Sequence, residues 1–193
     1  MSMRIATIER PLTYQDLEDF PDDGKRREVI GGTLYVSPAP ARPHQTVLGR
    51  FFAQFREEIE LAGLGAVWFA PVDVQFSPLD QVQPDLIVLL NHRLDTYRGS
   101  TVFGPPDIVV EVISPSSTSY DRAEKMNLYE SQDVPEYWLA DPVALTLQLF
   151  TLQNGRYVEV PPDPDGLLRS IVVPSLVVDP AFLFAGLTGK DAQ

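Results

Sequence analysis

The stretch Pro106-Asp107-Ile108-Val109-Val110-Glu111-Val112-Ile113-Ser114-Pro115 constrains the fold more than any other part of the chain. Residues 108–113 are β-branched except for Glu111, and Pro-Pro before them and Ser-Pro-Ser-Ser after them mark the ends of a buried strand. A carboxylate inside such a strand is costly to desolvate unless a cation meets it. Side chains alternate along a strand, so Glu111 shares its face with Asp107, Val109 and Ile113. Two of those three are bulky and apolar, which argues for a buried, functional carboxylate rather than one turned to solvent.

Two aspartates compete to be its partner. Asp107 lies on the same strand and face, but four residues along a strand span roughly 13 Å, too far for both to grip one ion. Asp85, in Pro84-Asp85, opens the apolar run 86–90. Neighbouring strands lie about 4.8 Å apart, so Asp85 approaches Glu111 if the two strands pair. Asp85 is therefore the expected partner, with Asp107 at the strand entry. The helix expected over about 119–132 adds Lys125, with Asp121 four residues before it and Tyr129 four after, all on one face. Alone this is an ordinary solvated Asp–Lys pair; set downstream of Glu111 across a short loop, it becomes a candidate site element.

Elsewhere the punctuation is clear. Thr13-Tyr14-Gln15-Asp16 has the form of a capping box for a short helix over 14–19. Gly31-Gly32 between 27–30 and 33–36 predicts a two-residue hairpin whose first arm carries Glu28, and Asn154-Gly155 predicts a second hairpin over 145–160. Leu48, Phe51, Phe52, Phe55 and Ile59 follow helical spacing over 44–62, which Gly63 ends. Residues 67–76 read as one strand bending at Pro71, 80–83 as a turn, 91–104 as a polar loop, 136–140 as a strand and 170–173 as a short one. Hairpins mixed with one long helix and a second helix after the central strand indicate an α+β fold with a mixed sheet flanked by helices. At 193 residues and 44% hydrophobic, the chain suits a single domain, 1–193.

Charge and missing motifs exclude several classes. A net charge of -12 argues against a protein that coats nucleic acid nonspecifically. With no cysteine and only His44 and His92, neither a disulfide framework nor a zinc site is expected. His44 opens the long helix, where it could meet a phosphate; His92 reads as surface. No nucleophile elbow, phosphate-binding loop or dinucleotide fingerprint is present, so no organic cofactor is expected. Without a basic-then-apolar start or an apolar run of membrane length, a cytoplasmic protein with no membrane partner is expected.

Several blocks together resemble the Uma-type family of restriction endonucleases, within the PD-(D/E)XK nuclease superfamily. They are Val82-Gln83-Pro84-Asp85, the 106–116 stretch, Asp121/Lys125/Tyr129, and Val134-Pro135-Glu136-Tyr137-Trp138-Leu139-Ala140-Asp141-Pro142. Arg27-Glu28-Val29-Ile30-Gly31-Gly32 and Ser37-Pro38-Ala39-Pro40 followed by His44 extend the likeness to residues 12–184. The resemblance implies a restriction-endonuclease-like core over about 44–142 with added N-terminal and C-terminal hairpins. It also implies a site in which Asp85, Glu111 and the Val112 carbonyl hold Mg²⁺ or Mn²⁺ and Lys125 assists the attacking water. Glu28 occupies an acidic position often near such a site. The superfamily's lysine, usually two residues after the glutamate, is here Ile113, and Lys125 on the following helix takes its place. Gly31 stands where many relatives carry aspartate, and Arg27 where an aromatic is common.

The expected function is metal-dependent endonuclease activity on DNA, with two copies suited to cutting both strands of a duplex. Two other readings stay open: a non-catalytic scaffold of the same fold that binds nucleic acid, and a phosphodiesterase on a small nucleotide.

Overall fold

The computed structural model describes residues 10–37, 39–114 and 120–188, with side chains in the last segment from residue 123 onward. A 3-10 helix, Tyr14–Asp19, starts where the Thr13 backbone N–H and hydroxyl both donate to Asp16, at 2.7 and 2.8 Å. The first hairpin follows, β1 (Arg26–Ile30) and β2 (Thr33–Ser37), turning on Gly31 and Gly32. Both glycines have positive φ, as the tight turn demands. Next comes α1 (Arg42–Phe55), continued by a π-helical turn Arg56–Glu60 and closed at Gly63, φ +71°.

The chain then runs through β3 (Gly65–Phe69), β4 (Asp73–Ser77), β5 (Asp80–Val82), β6 (Leu86–Leu90), β7 (Tyr97–Arg98), β8 (Thr101–Phe103) and β9 (Ile108–Val112). A π-helical turn, Tyr120–Lys125, leads into α2 (Met126–Ser131), then β10 (Glu136–Asp141), β11 (Thr146–Gln153) and β12 (Arg156–Glu159). The pair β13 (Leu168–Arg169) and β14 (Val177–Val178) and the short α3 (Pro180–Leu183) close the fold.

The strands form two six-stranded mixed sheets. The core sheet has the order β12-β11-β10-β9-β6-β3, antiparallel except for β9 beside β10, the pair joined through α2. The second sheet has the order β2-β1-β5-β4-β8-β7, with β4 and β8 parallel. The architecture is α+β, as expected, and the C-terminal hairpin extends the core sheet. The N-terminal hairpin instead joins β5 and β4 in the second sheet.

Alternation in β9 divides the interior. Ile108, Val110 and Val112 face one layer, where Val47, Phe51, Phe55 and Ile59 of α1 and its continuation pack with Trp138. Val109 and Ile113 face the other, with Leu128 and Tyr129 of α2 and Val74, Val82 and Val102 of the second sheet. Glu111 falls by parity on this second side. A second carboxylate, Glu136, is fully buried and binds the C-terminal segment without a cation. It accepts from Trp138 Nε1 (2.7 Å), Ser170 Oγ (3.0 Å), and the backbone N–H of Ile171 (2.7 Å) and Val172 (3.1 Å).

Four expectations differ from the structure. The single strand over 67–76 is two strands in different sheets, because Pro71 has no N–H to give a ladder. Residues 80–82 are a strand rather than a turn, and 91–104 contain a 3-10 turn (Asn91–Thr96) and β7–β8 rather than a plain loop. These strands are only two or three residues long, too short to show a period. The strand expected over 170–173 is a bend; the pairing lies at β13, because Ser170 turns its hydroxyl to Glu136.

Phe51 packs edge-on against Phe55 (5.7 Å between centroids) and Trp138 (6.3 Å). Phe51→Ala should cost about 3–5 kcal/mol, read as a lowered urea midpoint with little change in slope.

Candidate active site

The antiparallel register of β6 and β9 pairs Leu86 with Val110. Continued by one residue, it sets Asp85 opposite Glu111 on the same sheet face. Both are 1% exposed. Burial alone would cost several kcal/mol for each charge, so the fold must supply partners. Asp85 Oδ2 accepts from the Val112 N–H at 2.8 Å and lies 3.0 Å from His44 Nε2, and Oδ1 accepts from Arg26 Nη1 at 2.9 Å. Burial pushes the Asp85 carboxyl upward, but the His44 hydrogen bond and the charges of Arg26, His44 and Lys125 outweigh it and hold the group well below the usual carboxylate range. Burial would likewise lower Arg26, yet Asp85, Glu28 and Glu111 together raise it above its ordinary value.

Glu111 meets the crossover helix. Lys125 Nζ lies 2.8 Å from Glu111 Oε1 and 2.9 Å from Glu28 Oε1, and all three side chains are almost fully enclosed. Tyr129 donates its hydroxyl to the same Glu111 oxygen at 2.6 Å. Burial, then the negative charge of Glu111 and Glu28, pushes the Tyr129 phenol far above its ordinary range, so it remains a donor. Glu28 Oε1 also accepts from the Gln83 backbone N–H at 2.7 Å. Five segments thus converge: β1, the start of α1, the residue before β6, β9 and the helix after it.

Of the residues singled out in the sequence, Asp85, Glu111, Lys125, Glu28, His44 and Tyr129 come together. Val112 joins through its N–H. Asp121 lies in the helical turn, but its side chain is outside the described residues, as are Ser116 and Ser117. Asp107 sits away from the cluster: it accepts from the Leu90 N–H (2.7 Å) and pairs with Arg93 (2.9 Å). His92 is exposed, 3.4 Å from Asp107.

Arg26, which no motif in the sequence singles out, is a full member of the cluster. The signal was available, because Arg26 and Glu28 are two apart on one strand and share a face. His44 Nδ1 is buried and has no hydrogen-bond partner among the described residues. With Arg26, Lys25, Gln83 and Leu48, His44 lines a cavity of about 460 Å³ that opens onto the cluster.

The geometry allows one chemistry clearly. Hard carboxylate oxygens suited to a divalent ion stand beside a buried ammonium that could steady a water or a developing anion. Among the described residues, no three Asp, Glu or His side chains gather as a ready-made metal cage. The oxygens are held by the chain's own cations instead.

Removing Asp85 should therefore be costly. Asp85→Asn leaves the partly buried Arg26 without its hydrogen-bonded counter-ion and should lose about 2–3 kcal/mol at pH 7. Because the folded-state carboxyl titrates below its ordinary 3.8, this stabilisation is present above that value and is lost as pH falls through the folded one. The gap between the wild-type and Asp85→Asn urea midpoints should be widest near neutrality and narrow below about pH 4.

Comparison with known proteins agrees with the fold. A solved structure described as a putative nuclease belonging to DUF820, from Anabaena variabilis ATCC 29413, superposes with a TM-score of 0.77. It is 17% identical and aligns over 91% of this chain and 98% of its own, a likeness of fold. No curated protein matches. The family model described as Uma2, putative restriction endonuclease, matches residues 13–181, and the chain belongs to that family.

Proposed function

We propose that this protein is a metal-dependent nuclease that hydrolyses phosphodiester bonds in DNA. One observation carries the reading: Asp85 and Glu111 face each other across paired strands while Lys125 reaches Glu111 from the crossover helix, all three buried. The donor chemistry fits Mg²⁺ or Mn²⁺, with Asp85 and Glu111 as the ligands and the Val112 carbonyl available from the same strand. When bound, such an ion polarises the scissile phosphate and lowers the pKa of the attacking water.

The chain's own groups do the rest. His44 and the Val112 N–H orient Asp85, and Tyr129 fixes the Glu111 rotamer. Lys125 holds the water or steadies the negative charge that develops on the phosphate. Glu28 holds Lys125 in place. Arg26 and Lys125 must yield some of their contacts for the carboxylates to take up an ion, and once released both can meet phosphate oxygens. Two copies working on opposite strands would complete a double-strand cut, and the cytoplasm is the compartment proposed.

A second reading, hydrolysis of a small nucleotide, is favoured by one observation: the net charge of -12 repels a long polyanion more than a short one.

Incubation of supercoiled plasmid with Mg²⁺ or Mn²⁺ should give nicked and linear DNA. Glu111→Gln and Lys125→Met should each lower the rate at least ~100-fold, the scale of losing one group that stabilises a transition state. Cutting that survives both substitutions would sink the assignment. Turnover of a dinucleotide without plasmid cutting would move it to the small substrate.

A further inference from the structure

A second cavity, about 440 Å³, lies on the opposite face of β1, β5 and β4 from the carboxylates, and Gln75, Gln81, Phe20 and Phe103 in its lining take no part in the chemistry above. Its floor follows from strand register. Gln75 pairs with Gln81 on one side and Phe103 on the other, and Asp73 pairs with Thr101. Opposite residues share a face, so these side chains and Gln83 form one polar surface. Val74, Val82 and Val102 point the other way, into the core.

The walls are aromatic. Phe20 closes one side, with the Arg27 guanidinium 5.4 Å from its ring centroid, and half-exposed Phe103 forms another. Arg27 is fixed by the Pro21 carbonyl at 3.0 Å and by Asp23 at 2.9 Å.

The floor carries three amides, from Gln75, Gln81 and Gln83. Gln83 Nε2 donates to Asp73 at 2.9 Å. Gln81 is 9% exposed, and neither it nor Gln75 forms a side-chain hydrogen bond among the described residues. Neither amide is among the buried, unpartnered polar atoms of the described residues, so both are open to the cavity, where a ligand with a matched donor and acceptor can take the place of water. Burial, with the charge of Glu28 adding to it and Gln83 opposing it, raises the Asp73 carboxyl.

Planar walls over a floor of amide donors and acceptors suit a planar heterocycle with its own donors and acceptors. Glutamine can engage a base edge through both its donor and its acceptor, and aromatic and guanidinium planes hold an unstacked base by its faces. Gln83 connects the cavity to the site: its side chain lines the floor, and its backbone N–H holds Glu28.

We propose that this cavity binds a single unstacked nucleobase through Gln75 and Gln81, with Phe20 and Phe103 against its faces. The proposal deepens the nuclease reading, on which the choice of a nucleotide ligand rests. The base could come from a single strand of the substrate or from a free nucleotide, since the recognising chemistry is the same.

Calorimetric titration of the full chain in EDTA tests this, using the four deoxynucleoside 5′-monophosphates, deoxyribose 5-phosphate and a tetranucleotide. At least one monophosphate should bind about tenfold or more tightly than the sugar phosphate, and Gln81→Leu should remove about that much. The side-chain NH₂ resonances of Gln75 and Gln81 should shift during titration of the wild-type protein, a readout that does not depend on a variant folding. A tetranucleotide that binds better still assigns the base to a strand, and equal affinity assigns it to a free nucleotide. Equal binding of the sugar phosphate and the best monophosphate, or titration that leaves both glutamine resonances unmoved, would overturn the pocket. Because EDTA removes the metal, base binding without plasmid nicking would discard the nuclease reading alone. Nicking without base binding would discard the pocket alone.

Discussion

Lys125 carries its charge at 1% exposure between two carboxylates, and three parts of the fold meet on that ammonium. Glu28 comes from the second sheet, Glu111 from the centre of the core sheet, and Lys125 from the helix that crosses between β9 and β10. At an effective dielectric near 20, a pair of charges about 4 Å apart is worth about 4 kcal/mol, against a desolvation cost of several kcal/mol for each ion. A single pair is therefore a poor way to stabilise a core. One cation shared by two anions, with Tyr129 and the Gln83 N–H covering further lone pairs, makes burial tolerable. It also makes the cluster depend on all its members at once.

The second pole is Asp85, and the two poles are built differently. Asp85 is held by an arginine, a histidine and a backbone N–H, all groups with fixed direction. Glu111 is held by a lysine and a phenol on one helix, one turn apart. Glu136, buried with no cation and four donors, shows the alternative: a carboxylate satisfied by neutral dipoles can lock structure without offering chemistry.

Much of this was legible in the chain. Glu111 was marked by its β-branched neighbours, Asp85 by its place at the head of an apolar strand, and Lys125 and Tyr129 by their four-residue spacing. Both hairpins followed from Gly-Gly and Asn-Gly, and the long helix from its phenylalanines. The separation of β3 from β4 was hinted at by Pro71, but the sheet each would join was not. The short strands β5, β7 and β8 are held by neighbours rather than by their own pattern, so no local period announced them. Beyond the face it shares with Glu28, Arg26 gave no local sign of its role, because its partner, Asp85, is 59 residues away.

The sequence by itself determined which residues could not be left in water or left alone. A glutamate inside a β-branched strand demands partners for its charge, and alternation fixed its face, because both depend only on near neighbours. Tertiary structure decided which cations answer, since pairing Asp85 with Arg26 and Glu28 with Lys125 requires loops of unknown path to close. It also decided that the N-terminal hairpin builds a second sheet, whose inner face covers the carboxylates and whose outer face carries the glutamines. Those choices are made by the summed burial of whole layers, a quantity that no short window of sequence contains.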